Sequence, residues 1–373
     1  MKKKMQPVLY LRGLKNVSYS VFAVDKGQKF YRDPLFSSHT HIGKKLPFSS
    51  GQQVKRCIID ALLSNLNVER APVTFVFEQK NLKEGEVLSL CDPNYPDQLL
   101  GGWMLANSKK EKTKKKEKEI KDEDSDENSD GSIKKRRSPL SISALTPLHP
   151  LLAEYNTENI SFDRSDNKSL HRVIIRDDKG NLLSDEETKM ILEGTHRDLY
   201  RKWIQDSGRT TGLFVYDVAI DLRTLFSVSI YDVPNNIKLD EKKWKRGKNA
   251  FGECWTLCKS DREKLIPALA HALVNWRITS NQARTFSLME TLAIAIGDNA
   301  NAQAGAIRAR LIDDESGKPK ATLVLDENAG ANLYITPPCA AHILLNNEDV
   351  EALRKAEKHL IEVMLAFDYD NQF

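Results

Sequence analysis

Residues 107–138 set the first limit on what this chain can fold into. Eight lysines lie among residues 109–121, followed by an acidic block of Asp122, Glu123, Asp124, Asp126, Glu127 and Asp130 and then by Lys134, Lys135, Arg136 and Arg137. Almost nothing in this tract can fill a core, so burial cannot offset the entropy of ordering it. It is expected to be a disordered or mobile insertion separating two folded portions, residues 1–106 and 139–373.

The portions on either side differ in charge. Residues 1–106 hold 15 Lys/Arg against 9 Asp/Glu, the tract 12 against 9, and the remainder 29 against 34. Solubility alone does not predict such clustering. An anionic partner should engage the N-terminal half first. The 373 residues suffice for one large domain with insertions or for two smaller ones. No run of about 18 apolar residues exists, so no membrane partner is expected. The basic start, Lys2 to Lys4, leads into no apolar stretch of a signal peptide. Five scattered cysteines, an odd number, fit a reducing cytoplasm.

Periodicity predicts a mixed fold. Val8 to Phe22 reads as a strand with a bulge near Gly13, Val54 to Leu66 as an amphipathic helix, and Val73 to Glu78 as a β-branched, aromatic strand. That β-α-β order opens a ferredoxin-like or RRM-like domain. Further along, Ser184-Asp185-Glu186-Glu187 starts a helix with an N-cap and acids in its first turn. Leu213 to Ile220 and Leu225 to Tyr231 are strands, and Asp261 to Trp276 and Glu348 to Ala366 are helices. The fold class expected is α+β, with antiparallel strands and long insertions.

The chemistry concentrates where the first helix begins. Leu46-Pro47-Phe48-Ser49-Ser50-Gly51-Gln52-Gln53-Val54-Lys55-Arg56 places hydroxyls, amides and two cations at one helix N-terminus. Ser49 or Ser50 can cap the helix, and the remaining first-turn N–H groups make a seat for phosphate. His39, His41, Lys44 and Lys45 add donors just upstream. A solvated loop entering a surface helix is the plainer reading, since neither a Walker A nor a dinucleotide glycine motif is present.

This loop-helix resembles the Ser-Gly-Gln…Lys-Arg segment of the CRISPR-associated backbone subunits of Cascade-type effectors, the DevR-like branch of the RAMP superfamily. Three later stretches resemble the same family: Lys135-Arg136-Arg137-Ser138-Pro139-Leu140, Gly212-Leu213-Phe214-Val215-Tyr216-Asp217, and Gln282-Ala283-Arg284-Thr285-Phe286-Ser287. The resemblance spans most of residues 8–310. It implies an RRM-like palm with helical fingers and a protruding thumb hairpin. It further implies a non-catalytic subunit that polymerises head to tail along a guide RNA. The guide would then pair with target DNA or RNA, in antiviral defence beside other Cascade-type subunits. The RNA-binding set expected is His39, His41, Lys44, Lys45, Ser49, Ser50, Gln52, Gln53, Lys55, Arg56, Lys134, Lys135, Arg136, Arg137 and Arg284. Such donors hold phosphate and 2′-OH without reading bases. On this reading the acidic block of the charged tract masks the lysines until RNA displaces it; a solvated loop is the alternative.

Other chemistries find less support. No nucleophile elbow and no zinc-protease motif occur, and no cofactor is expected. Cys254 and Cys258 form a single C-x3-C pair with no second pair and no nearby His, so no metal is expected either. Some RAMP relatives cut target RNA with an aspartate after the first strand, which makes Asp25 and Asp33 the candidates for an endoribonuclease alternative. A basic RNA-binding protein outside CRISPR is the third reading. Trp103, after Gly101 and Gly102, is either an exposed ring that stacks a base or a buried anchor.

Overall fold

The computed structural model describes residues 7–22, 28–40, 42–78, 83–105, 134–161, 173–193, 203–279, 285–312, 318–339, 343 and 345–372. The chain is α+β and forms two compact units, residues 1–154 with 211–373, and residues 155–210.

The first strand, Val8–Ser20, forms the middle of a seven-stranded sheet. Its neighbours are Trp203–Asp221 on one side and Glu290–Gly297 on the other. Asn332–Ile335 follows beyond Glu290–Gly297, and Ala153–Ser161 lies on the far side of Trp203–Asp221. Two short strands, Leu140–Ile142 and Thr146–Pro147, also pair antiparallel with Trp203–Asp221. The expected irregularity in the first strand falls between Leu14 and Lys15, one residue past Gly13.

Strand alternation builds two cores. Leu9, Leu11, Phe214, Tyr216, Val218, Ile220, Ile294 and Ile296 face a layer of helices Gly51–Leu66, Lys259–Asn275 and Ala352–Ala366. Leu14, Leu213, Val215, Ala293 and Ala295 face the other way, against Ala306, Ile307 and Ile335. Gly13 is required on the helix side, because a Cβ there would lie 2.2 Å from the Tyr216 ring. That ring sits edge-on to Trp276, and its hydroxyl donates to the Leu273 carbonyl at 2.8 Å.

The expected β-α-β opening is corrected in one part. Val73–Glu78 is a strand, but among the described residues it pairs only with Lys83–Ser89, in a two-stranded sheet apart from the main one. Val73, Thr74, Phe75 and Val76 are exposed, so over residues 73–76 neither face of the strand is covered by a core. The sheet strand that follows helix Gly51–Leu66 is Leu140–Ile142 instead. From there the chain continues through Trp203–Asp221, helix Lys259–Asn275 and Glu290–Gly297.

Residues 106–133, which take in residues 107–133 of the charged tract, lie outside the described residues, and the strands flanking them, Trp103–Leu105 and Lys134–Arg136, pair antiparallel. In the smaller unit, Ser184 starts helix Asp185–Leu192 with a complete capping box, its hydroxyl accepting from the Glu187 N–H and Glu187 reaching back to the Ser184 N–H. Among the described residues no helix is long and apolar enough to cross a membrane.

Candidate nucleic-acid interface

The loop before helix Gly51–Leu66 is held rigidly. Ser49 exchanges backbone hydrogen bonds with Leu145 in both directions, at 3.0 and 2.9 Å. Its hydroxyl is buried and meets no partner among the described residues. Ser50 is extended and caps the helix, its Oγ accepting from the Gln53 N–H at 3.4 Å. That leaves Gly51 and Gln52 as first-turn N–H groups without an intrahelical acceptor. Gly51 abuts the edge of the sheet so closely that a Cβ would come within 2.9 Å of the Ile142 carbonyl. The helix start is thereby locked to strand Leu140–Ile142.

Around this start the candidate donors divide by where they point. Lys45 and Gln52 are exposed, and Gln53 is half-buried. Arg56 is 75% exposed, with Asp60 one turn on at 3.7 Å, a contact too long and too wet to hold it. Lys44 reaches sideways, donating to the Ala153 carbonyl at 2.8 Å and to Glu154 at 2.9 Å.

Lys55 and Arg136 turn inward, which corrects the expectation that both face RNA. They meet at the C-terminal end of the short helix Pro96–Gly101, where carbonyls lack intrahelical donors. Lys55 Nζ donates to the Gly101 carbonyl at 2.7 Å. Arg136 donates to the Leu99 carbonyl, and to those of Thr224 at 2.9 Å and Ser227 at 3.1 Å. Burial, and then the nearby Arg136 charge, lower the Lys55 pKa. Burial pulls Arg136 down to about 9, against the raising effect of Asp232. At about 9, Arg136 remains a cation at neutral pH. Trp103 is the buried anchor and not the stacking ring: it is 6% exposed, lies under the Arg136 guanidinium at 5.6 Å, and donates to the Asp232 carbonyl at 3.3 Å.

The rest of the expected set is scattered. Lys135 and Arg137 are exposed on either side of Arg136, as strand alternation requires. Arg137 lines a cleft of about 510 Å³ that also holds Arg223, Asn249 and Phe251. Lys134 lies in the same strand and His39 in the short helix Pro34–Thr40; their side chains, like His41 and Arg284 entirely, fall outside the described residues. Asp33 caps helix Pro34–Thr40, its carboxylate accepting from the Phe36 N–H at 3.0 Å. Asp25 lies outside the described residues. Cys254 is buried with its Sγ 3.6 Å from Thr256 Oγ1, while Cys258 lies against Ser260 and Asp261. Among the described residues no group of three or more His, Cys, Asp or Glu gathers to hold a metal.

Motif reading also passed over a second cationic surface. Lys242, Lys243, Lys245, Arg246 and Lys248 are exposed on and just before strand Trp244–Asn249. The signal was a basic run with an interleaved aromatic.

No family model matches the chain, and no curated protein does. Among solved structures, the chain is similar to a chain of a CRISPR RNA-guided surveillance complex, pre-nicking, with a TM-score of 0.41 and 9% identity over 82% of this chain and 79% of that one. It is also similar to a chain of a CRISPR RNA-guided surveillance complex, with a TM-score of 0.35 and 11% identity over 82% of this chain and 70% of that one.

Proposed function

We propose that this chain is a guide-RNA-binding backbone subunit of a CRISPR effector complex. The observation that carries the reading is the helix start at Ser50. There a capped but incompletely satisfied helix end is locked to the sheet edge and flanked by exposed Lys45, Gln52 and Arg56. Such a seat holds a phosphate backbone by charge, amides and N–H groups, without selecting bases. Sequence choice is then left to pairing between guide and target.

The sheet supports the palm that the sequence resemblance implies. Strand Val8–Ser20, helix Gly51–Leu66, strands Leu140–Pro147, strand Trp203–Asp221, helix Lys259–Asn275 and strand Glu290–Gly297 follow in β-α-β-β-α-β order. The first strand lies between the last two of these strands, and the short strands pair outside Trp203–Asp221, an RRM-like arrangement. The hairpin Val73–Ser89 suits the thumb. Strands Val73–Glu78 and Lys83–Ser89 form a two-stranded sheet of their own with exposed Val73, Phe75 and Val76, an apolar load that asks for a partner. In this reading that partner is the next copy on the same guide, giving a head-to-tail filament in the cytoplasm. The chain itself does no chemistry, and Asp33 serves as a helix cap.

The test is mass per complex on guides of increasing length, with wild type and with Lys45→Glu/Arg56→Glu. Copy number should rise with guide length, because a heterologous contact does not close on itself. The variant should bind more weakly, with a salt slope lower by roughly 0.7 for each lost contact to a single strand. Mass independent of guide length sinks the filament. Regularly spaced cuts in a complementary target RNA, abolished by Asp33→Ala or Asp25→Ala, would establish the endoribonuclease instead.

A further inference from the structure

We infer that strand Trp244–Asn249 is a second nucleic-acid surface, one that takes the phosphates of a duplex. The strand is pinned at both ends. Trp244 is buried, its indole N–H donating to Asn94 Oδ1 at 2.8 Å, and Asn249 is buried, donating to Ser227 Oγ at 2.8 Å. Between these anchors Lys245, Arg246, Gly247 and Lys248 are all exposed. The entropy of presenting the three cations is thus lowered by the fold, which a mobile lysine tail does not achieve.

The position in the sheet matters as well. In this three-stranded sheet the order is Ser227–Ser229, Gly252–Leu257, Trp244–Asn249, so the cationic strand is an edge. A glycine in an edge strand marks a place where another backbone can approach closely. Nothing but Thr256 Oγ1, at 3.6 Å, lies within contact of a Cβ at Gly247.

Local charge sets this strand apart from its surroundings. Residues 237–248 carry six Lys/Arg against Asp240 and Glu241, within a portion of the chain that is net acidic. Asp240 is engaged by the Lys242 N–H at 2.9 Å, and Glu253 stands across the strands from Lys248. Asp370, whose pKa Lys245 helps to lower, is held by Arg262 at 2.8 Å.

The aromatic rings argue for duplex over single strand. A single strand offers bases, and proteins meet them with open ring faces. Here the ring directly across from the central cation is closed, the Arg246 guanidinium lying over Trp255 at 5.0 Å, while exposed Phe251 stands in the turn beyond the strand's end, beside Arg223 at 4.7 Å. A cationic strand whose own facing ring is already covered fits a partner whose bases are stacked inside and whose phosphates face out.

Lysines on an edge strand also guard against aggregation, so the deciding variant keeps the edge charged. Lys245→Glu/Arg246→Glu/Lys248→Glu preserves a guarded edge and repels phosphate. The probe is a random DNA duplex of about three helical turns, titrated against full-length protein across a salt series. Wild type should bind, and the variant should lose roughly 0.9 of salt slope per contact, about 2.7 in all. Lys245→Arg/Lys248→Arg should bind as wild type does. Equal affinity and slope in the Glu variant overturn the inference, and so does a parallel loss of guide-RNA binding, which would make the strand part of the guide seat. Wild type that binds duplex but retains no guide RNA defeats the guide reading alone.

Discussion

Lys134–Arg137 and Lys242–Lys248 look alike as sequence: short basic runs, each next to or containing a strand. The molecule treats them differently. In the first, Arg136 turns inward and spends its guanidinium on three backbone carbonyls. In the second, the anchors are Trp244 and Asn249, and every cation between them stays out. A basic run is therefore not yet a surface. What decides is which side chain the strand alternation turns inward, and whether acceptors wait there. Arg136 finds them because helix Pro96–Gly101 ends beside its strand with carbonyls in need of donors.

The contrast is sharpest in stability. Arg136→Met removes the donor from three carbonyls in a buried site and should cost about 3 kcal/mol. Denaturant unfolding, with its midpoint read against wild type, gives the number. A midpoint unchanged by Arg136→Met would mean that the inward cation is dispensable, and the comparison would collapse.

Lys15 extends the contrast to a cation with poorer partners. It is 1% exposed, donates to Thr291 Oγ1 at 3.0 Å and the Met289 carbonyl at 3.3 Å, and lies 4.9 Å from the Trp276 ring centroid. Burial lowers its pKa to about 7, with Cys57 acting in the other direction. The unfolded chain keeps its proton up to the ordinary pKa of 10.5, so between these values the unfolded state binds more protons. Stability should therefore rise with pH above 7, by roughly 2 kcal/mol between pH 7 and about 8.5. Cys57, which burial raises to about 11, opposes the trend only at higher pH. Lys15→Met should flatten the slope over this window. An identical slope in the variant would show that Lys15 stays charged in the fold.

Much of the frame was legible in the sequence, and the limits have a pattern. Val8–Ser20, Gly51–Leu66, Lys259–Asn275 and the N-cap at Ser184 could be read because their signals are local: alternation, an apolar stripe, a hydroxyl just ahead of acids in a first turn. Val73–Glu78 was legible as a strand but not as a hairpin apart from the main sheet, since periodicity reveals burial parity and not the partner. Leu140–Ile142, the strand that took its place, is three residues long and leaves almost no pattern. At the candidate site, the Ser50 cap was readable and the fates of Lys55, Trp103 and Arg136 were not. Their partners come from Gly101, Asp232, Leu99, Thr224 and Ser227, up to 129 residues away in the chain.

The smallest effect belongs to the outward run. Arg246 lies directly across from Trp255 in the antiparallel register, its guanidinium 5.0 Å from the ring centroid. An exposed cation–π pair contributes about 0.5 kcal/mol, so Arg246→Met should shift the unfolding midpoint by no more than that. Lys245, which points to the opposite face, should shift it less when changed to Met. Trp255 supplies an independent reading, because removing the guanidinium exposes one face of a half-buried indole. Its emission should move to longer wavelength in Arg246→Met and stay in place in Lys245→Met. A loss as large as that of Arg136→Met would make the second run another structural clamp. The cations would then be inward in effect whatever their exposure, and the duplex surface would lose its foundation.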